Sequence, residues 1–155
     1  MQSPEQARSI AESLVERGMK AGATAADAIY VGDSSSGVQV RLGELEDVSR
    51  SEGEGIGLRL FIGERSATVA SSDLSDEVLS ALVDRCLSMA QNAPKDPFAG
   101  LAPSELLQTG DLPRLDLVDE READPAELRE RALEAEKAAI GVAGVTNSSC
   151  DHGGV

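Results

Sequence analysis

Aromatic side chains are nearly missing from this chain. They make up 2% of its 155 residues, and Tyr30, Phe61 and Phe98 are the whole set. A core must therefore be built from aliphatic residues, and no aromatic platform exists on which bases or sugars could stack. Histidine is almost as scarce, with His152 alone near the end of the sequence. Zinc sites of the common kinds need three or four His, Cys or acidic ligands at structured spacing. The pair Cys150-x-His152 does not supply that, and no H-E-x-x-H stretch is present. The two cysteines, Cys86 and Cys150, form neither a disulfide framework nor a metal-binding spacing.

Positive charge is also scarce. Fourteen Lys and Arg face 28 Asp and Glu, a formal net charge of −14. Phosphate binding needs a basic patch, so direct contact with nucleic acid or an anionic membrane is disfavoured. No apolar run is long enough to span a bilayer, and the opening MQSPEQARSIAESL has no apolar signal-peptide core. A cytoplasmic location is the resulting expectation.

What is present is a clear change of period along the chain. Residues 3 to 21 predict a helix with Ser3 as cap, Pro4 at the first position and Gln6 completing a capping box. Ala7, Ile10, Ala11, Leu14 and Val15 form its apolar stripe. Gly18 and Gly22 are expected to end it. Residues 27 to 71 alternate instead, as in Val38, Val40, Leu42 and again in Ile56, Leu58, Leu60, Ile62. Five strands are predicted, at 27–32, 37–42, 45–51, 55–62 and 65–71. The pairs Gly43-Glu44 and Gly63-Glu64 suit two-residue type II′ turns. The first would set Leu42 opposite Leu45 and Arg41 opposite Glu46. The second would pair Leu60 with Ala67 and Leu58 with Val69.

Helical period returns at 75–92, with Ser75 as cap, a Leu74–Leu79 staple and Pro94 as stop. Residues 94 to 122 carry four prolines and no sustained period, apart from a short helical turn at 103–107. Asp124 starts a third helix that runs to about Ile140. Residues 142–148 suit a strand, and CDHGGV has no signal of its own. The fold class expected is α+β: an antiparallel meander of about five strands with helices packed on one face. Residues 1–149 read as one domain, with 150–155 as a tail of uncertain structure.

The run GEGIGLRLFIGERS at 53–66 invites a phosphate-loop reading. A dinucleotide fingerprint needs G-x-G-x-x-G opening a helix. Here Gly53, Gly55 and Gly57 lead into strand residues, and Glu52 and Glu54 would repel a phosphate. The glycines are better explained as a turn at 52–54, followed by strand positions where another element comes close. The serines at 34–36, 71–72 and 148–149 have no histidine partner in a predicted element. Carboxylate pairs such as Glu44/Glu46 and Asp119/Glu120 are expected by chance in so acidic a chain. The residues alone predict no catalytic, cofactor-binding or metal-binding set.

Several stretches together resemble one family. They are R-x-G-E-x-E-x-V at 41–48, E-G-x-G-x-R at 54–59, ASSDLS at 70–75, DPFAGL at 96–101 and GVTNSS at 144–149. The sequence is similar to the N-terminal domain of the TldD/PmbA family, also called modulator of DNA gyrase proteins, and resembles the PmbA (TldE) branch more than the TldD branch. The resemblance implies a cytoplasmic heterodimer with a TldD-like subunit. That pair is a zinc-dependent peptidase system that trims unfolded or modified peptides, including a microcin precursor and an antitoxin. The zinc motif belongs to the TldD subunit, so no family metal ligand maps onto this sequence and no cofactor is expected. Family members run to several hundred residues, so the chain is expected to lack a β-rich C-terminal domain and to have no peptidase activity unaided. An alternative reading is a stand-alone peptide-binding or protein-interaction module, in which a sheet edge accepts an extended peptide.

Overall fold

A computed structural model of the chain describes residues 1–108, 110–111, 113, 115–117 and 124–154. The predicted irregular crossing at 94–122 falls partly outside these residues. The fold is α+β, in the order α1 (Pro4–Lys20), β1 (Ala25–Arg41), β2 (Glu44–Ile62), β3 (Arg65–Ser71), α2 (Asp76–Asn92), a 3₁₀ turn (Ser104–Leu106), α3 (Pro125–Ile140) and β4 (Ser149–Gly154). The described strands form one antiparallel sheet in the order β3-β2-β1-β4.

Among the described residues four strands, two of them long, stand where about five were expected. The predicted 27–32 and 37–42 are both parts of β1, and 45–51 and 55–62 are both parts of β2. Neither Ser34–Ser36 nor Gly53 breaks the chain, because small residues in extended conformation remain compatible with a ladder. The expected strand at 142–148 lies one step late. Residues 142–148 are turn and coil, and the strand is Ser149–Gly154, antiparallel to Ser36–Arg41. The CDHGG stretch is therefore sheet, its order imposed by its partner strand rather than by its own composition.

The chain divides into two compact units. The first comprises Met1–Gly32 and Gly53–Pro113, and the second Asp33–Glu52 and Arg114–Val155. In the first, α1 opens with the full capping box: the Gln6 amide donates to Ser3 Oγ at 3.3 Å, and the Ser3 amide to Gln6 Oε1 at 2.9 Å. Leu14, Ile56, Leu58, Leu60, Val69, Leu79, Leu82, Val83, Cys86 and Ala90 are buried together, so α1 and α2 cover the even-numbered face of β2. Each large aliphatic buried this way contributes about 1.5–3 kcal/mol relative to exposure. Leu74 and Leu79 both join this core, as the predicted staple requires. Ser75 occupies the N-cap position of α2 but makes no side-chain capping bond.

Gly18 does not end α1, which continues to Lys20. It is buried against Leu60, and a Cβ at this position would stand 2.5 Å from Leu60 Cδ2. Gly22, at φ +109°, is the residue that turns the chain away from the helix. Phe61 also departs from simple alternation. It lies on the opposite face from Leu60 yet is buried, with the Arg59 guanidinium 5.1 Å from its ring centroid.

The β2–β3 hairpin has the predicted register, with Ile62 opposite Arg65, Leu60 opposite Ala67 and Leu58 opposite Val69. Gly63 takes φ +57° and Glu64 stays at negative φ, as a type II′ turn at 63–64 requires. The β1–β2 turn differs. β1 ends at Arg41 and β2 begins at Glu44, so the turn residues are Leu42 and Gly43. Both have positive φ, +51° and +83°, which is the type I′ pattern rather than II′. With Arg41 and Glu44 closing the hairpin, the expected register of Leu42 opposite Leu45 and Arg41 opposite Glu46 does not hold, although Arg41 and Glu46 still form an ion pair at 3.6 Å.

In the second unit α3 begins as predicted, the Ala126 amide donating to Asp124 Oδ1 at 3.0 Å. Leu128 and Ala132 bury Val38 and Val40, with Leu133 and Cys150 packed at the margin. Among the described residues no helix is long and apolar enough to cross a membrane.

Candidate functional site

The first unit carries a shallow groove of about 310 Å³, lined by Asp27, Ala28, Ile29, Gly57, Leu58, Arg59 and Thr68. Its shape follows from the glycine at 57. Ile29 Cγ2 lies 3.2 Å from where a Gly57 Cβ would be, so the β1 side chain occupies the space the glycine leaves. Gly55 is similarly close to the Ser71 carbonyl of β3, at 3.3 Å. These glycines lie within β2 and open no helix, so they form no phosphate loop. Gly53 too is strand, not the turn expected at 52–54.

Among the described residues Arg59 is the only cation lining the groove, and Asp27 engages it through both carboxylate oxygens. That bond raises the already high pKa of the guanidinium. Beside this pair the groove offers the Thr68 hydroxyl and aliphatic wall.

Near the start of the chain, Tyr30 Oη donates to Glu54 Oε2 at 2.6 Å and accepts from the Gln2 amide at 3.1 Å. The bond to Glu54 holds the phenol above its ordinary pKa, which keeps it protonated and unsuited to act as a base. Cys86 is fully buried, its thiol 3.3 Å from the Ala67 carbonyl and 3.6 Å from that of Leu58. Burial pushes its pKa up, so it behaves as a core residue and not as a nucleophile.

The second unit holds a feature that the sequence reading missed. Glu136 is 2% exposed on α3, and its carboxylate accepts three hydrogen bonds. The donors are the Leu42 amide, the Gly43 amide at 2.7 Å and Ser148 Oγ at 2.9 Å. Burial opposes ionisation and is the largest single influence. The bonds from Gly43, Ser148 and Leu42 together outweigh it, and the pKa is lowered. The signal was available: Leu128, Ala132 and Glu136 recur at i, i+4, i+8, which places a carboxylate on the buried stripe of α3. With all its partners inside the fold, this acid fastens the β1–β2 turn and does not await a substrate.

The remaining sequence features are scattered. Cys150 and His152 lie on β4 opposite Val40 and Val38. Ser71 closes a local turn with the Asp73 backbone, and Ser148 serves Glu136. Among the described residues no three of His, Cys, Asp and Glu converge to hold a metal. Asp119 and Glu120 lie outside the described residues.

Comparison with known proteins supplies what the side chains do not. Residues 26–90 match the PmbA/TldA metallopeptidase domain 1. Metalloprotease PmbA of Escherichia coli O157:H7 is 32% identical over 136 residues, which is 86% of this chain. The chain is similar to the PmbA/TldD family, and the match falls on that family's first domain. It spans only 30% of the length of the Escherichia coli protein. Two solved structures share the fold of this PmbA-like domain. One, from Bacteroides thetaiotaomicron and described as a modulator of DNA gyrase, superposes with a TM-score of 0.87 at 19% identity, over 99% of this chain and 35% of the other. TldE from Thermococcus kodakarensis gives 0.71 at 18% identity, over 93% and 32%.

Proposed function

We propose that this chain is part of a PmbA/TldE-type, non-catalytic subunit. In this reading it works beside a TldD-like subunit in a zinc-dependent peptidase system of the cytoplasm that trims peptides. The observation that carries the reading is the 32% identity to metalloprotease PmbA across 86% of the chain. The inward commitments of Glu136, Tyr30 and Cys86, each bonded within the fold, agree with a supporting role. Zinc chemistry would come from the partner subunit, and extended peptides would be the substrate class. A net charge of −14 opposes direct DNA contact, despite the gyrase wording attached to a structural relative.

Co-expression with a TldD-like subunit tests the partnership. The expected result is a complex of the two chains that survives size-exclusion chromatography. Separate elution at micromolar concentration, with both chains folded, would overturn it.

A further inference from the structure

Among the described residues Leu42 alone, glycines aside, takes a positive φ, at +51°. A Cβ disfavours this left-handed backbone, and at the first position of a type I′ turn asparagine, aspartate or glycine fit best. Glu136 holds the conformation in place, since its carboxylate takes the Leu42 amide and, at 2.7 Å, the Gly43 amide. Ser148 Oγ, at 2.9 Å, fixes that carboxylate in turn. Two unfavourable features thus meet at the hairpin tip: a strained backbone and a buried acid. All these residues belong to the second compact unit.

The Leu42 side chain gains nothing from this within the fold. It joins neither buried cluster and is 56% exposed. Leu45, three residues on, is 45% exposed. Scattered exposed leucines need no explanation. A leucine held outward at a strained position does, because such strain persists mainly where function uses it. The charges around the tip indicate what it meets. Glu44, Glu46 and Asp47 are all exposed, and Arg41, the one cation between 41 and 47, is engaged by Glu46 at 3.6 Å. An apolar tip among carboxylates complements an apolar pocket with a basic rim. A second copy of this chain is a poor match, since two bodies of −14 repel each other.

We propose that the β1–β2 tip is a preformed docking knob, an inference that rests on the partnership with a TldD-like subunit proposed above. Leu42, with Leu45 as its neighbour in the hairpin, enters an apolar, base-rimmed pocket on that subunit. Glu136 is a positioning residue. It sets the tip before the partner arrives and so lowers the ordering cost of binding. The exposed carboxylates attract the basic rim and orient the approach.

The test is titration calorimetry of the full chain against a purified TldD-like subunit, with melting temperatures measured alongside. Leu42→Asn should weaken binding at least about tenfold while raising the melting temperature. Those opposite signs separate docking from a structural role. Leu42→Met should bind within about twofold of wild type. Glu136→Gln should weaken binding roughly threefold through a less favourable binding entropy, at a temperature where the variant is fully folded. Wild-type affinity should fall as salt rises, and Glu44→Gln/Asp47→Asn should flatten that dependence. Leu106→Ser, at another exposed leucine, should change affinity less than about twofold. The site is overturned if the wild type forms the complex and Leu42→Asn binds equally well, if Leu106→Ser weakens binding as much, or if affinity ignores salt. Wild-type dimers that dissociate in Leu42→Asn would make a second copy the occupant and overturn it too. No complex even with wild type removes the partnership itself and this site with it, so the two failures are told apart.

Discussion

Glu136, on α3, accepts the Gly43 amide at 2.7 Å, so a carboxylate ninety-three positions away holds the tip of the β1–β2 turn. The same carboxylate takes the Leu42 amide. Two successive amides converging on one anion require both residues to turn their N–H groups the same way, and Leu42 accordingly sits at φ +51°. Glu136→Gln keeps the shape and removes the charge and one acceptor oxygen. Exchange of the Leu42 and Gly43 amides should accelerate, and the melting temperature should fall.

The pH dependence of that difference has a definite sign. The pKa of Glu136 in the fold is lowered from 4.5. A depressed carboxylate stabilises the fold fully above its unfolded pKa and loses that contribution as pH falls through its folded pKa. The stability gap between wild type and Glu136→Gln should thus be largest at neutral pH and shrink below about pH 4.5. Urea melts at pH 7, 5 and 3.5 measure it, and a gap that widens on acidification would refute this assignment.

Leu42 offers the opposite case, a residue whose replacement should help. It is 56% exposed, so little packing is lost on changing it. Leucine at positive φ costs about 1–2 kcal/mol, which asparagine largely avoids. Leu42→Asn also creates the Asn-Gly pair that type I′ turns prefer. The expected gain is about 0.5–1 kcal/mol, or roughly 2–4 °C in melting temperature for a chain of this size. Calorimetry decides it, and a loss of stability would show that Leu42 packs on something in solution.

Gly18→Ala should destabilise, although alanine is the better helix former by about 1 kcal/mol. The new methyl would meet Leu60 Cδ2, itself fully buried, at 2.5 Å. Overpacking of this kind costs about 1–3 kcal/mol. Shortening the neighbour as well, in Gly18→Ala/Leu60→Val, should recover part of the loss. If the single variant is more stable than wild type, the close approach of α1 to β2 is wrong.

The two thiols should differ sharply. Cys86 is buried and its pKa raised, while Cys150 is only half-buried on β4. A disulfide reagent should modify one thiol quickly and the other only on unfolding. Cys150→Ser should abolish the fast phase, and a fast phase that persists would contradict the burial of Cys86.

Much of this fold was written locally. Ser3 and Gln6, Asp124, and the alternation of Ile56, Leu58 and Leu60 each reported an element through contacts only a few residues long. The β2–β3 register was legible because Gly63 and two apolar cross-strand pairs agreed. What stayed hidden depends on distant partners. β4 is a strand because β1 lies beside it, and the turn at 42–43 is type I′ where Glu136 takes its amides. Gly18 read as a helix stop because sequence cannot show Leu60 pressing on it. The groove was half visible: Gly57 announced a close approach, but not that Ile29 makes it. The family resemblance, by contrast, was legible in short motifs, of which those at 41–48, 54–59 and 70–75 fall inside the matched residues 26–90.

The most direct test of the non-catalytic reading is a peptide-cleavage assay on this chain by itself with zinc, beside the same assay with a TldD-like subunit added. Cleavage should appear only when the second subunit is present. Robust zinc-dependent cleavage by this chain alone would contradict the account.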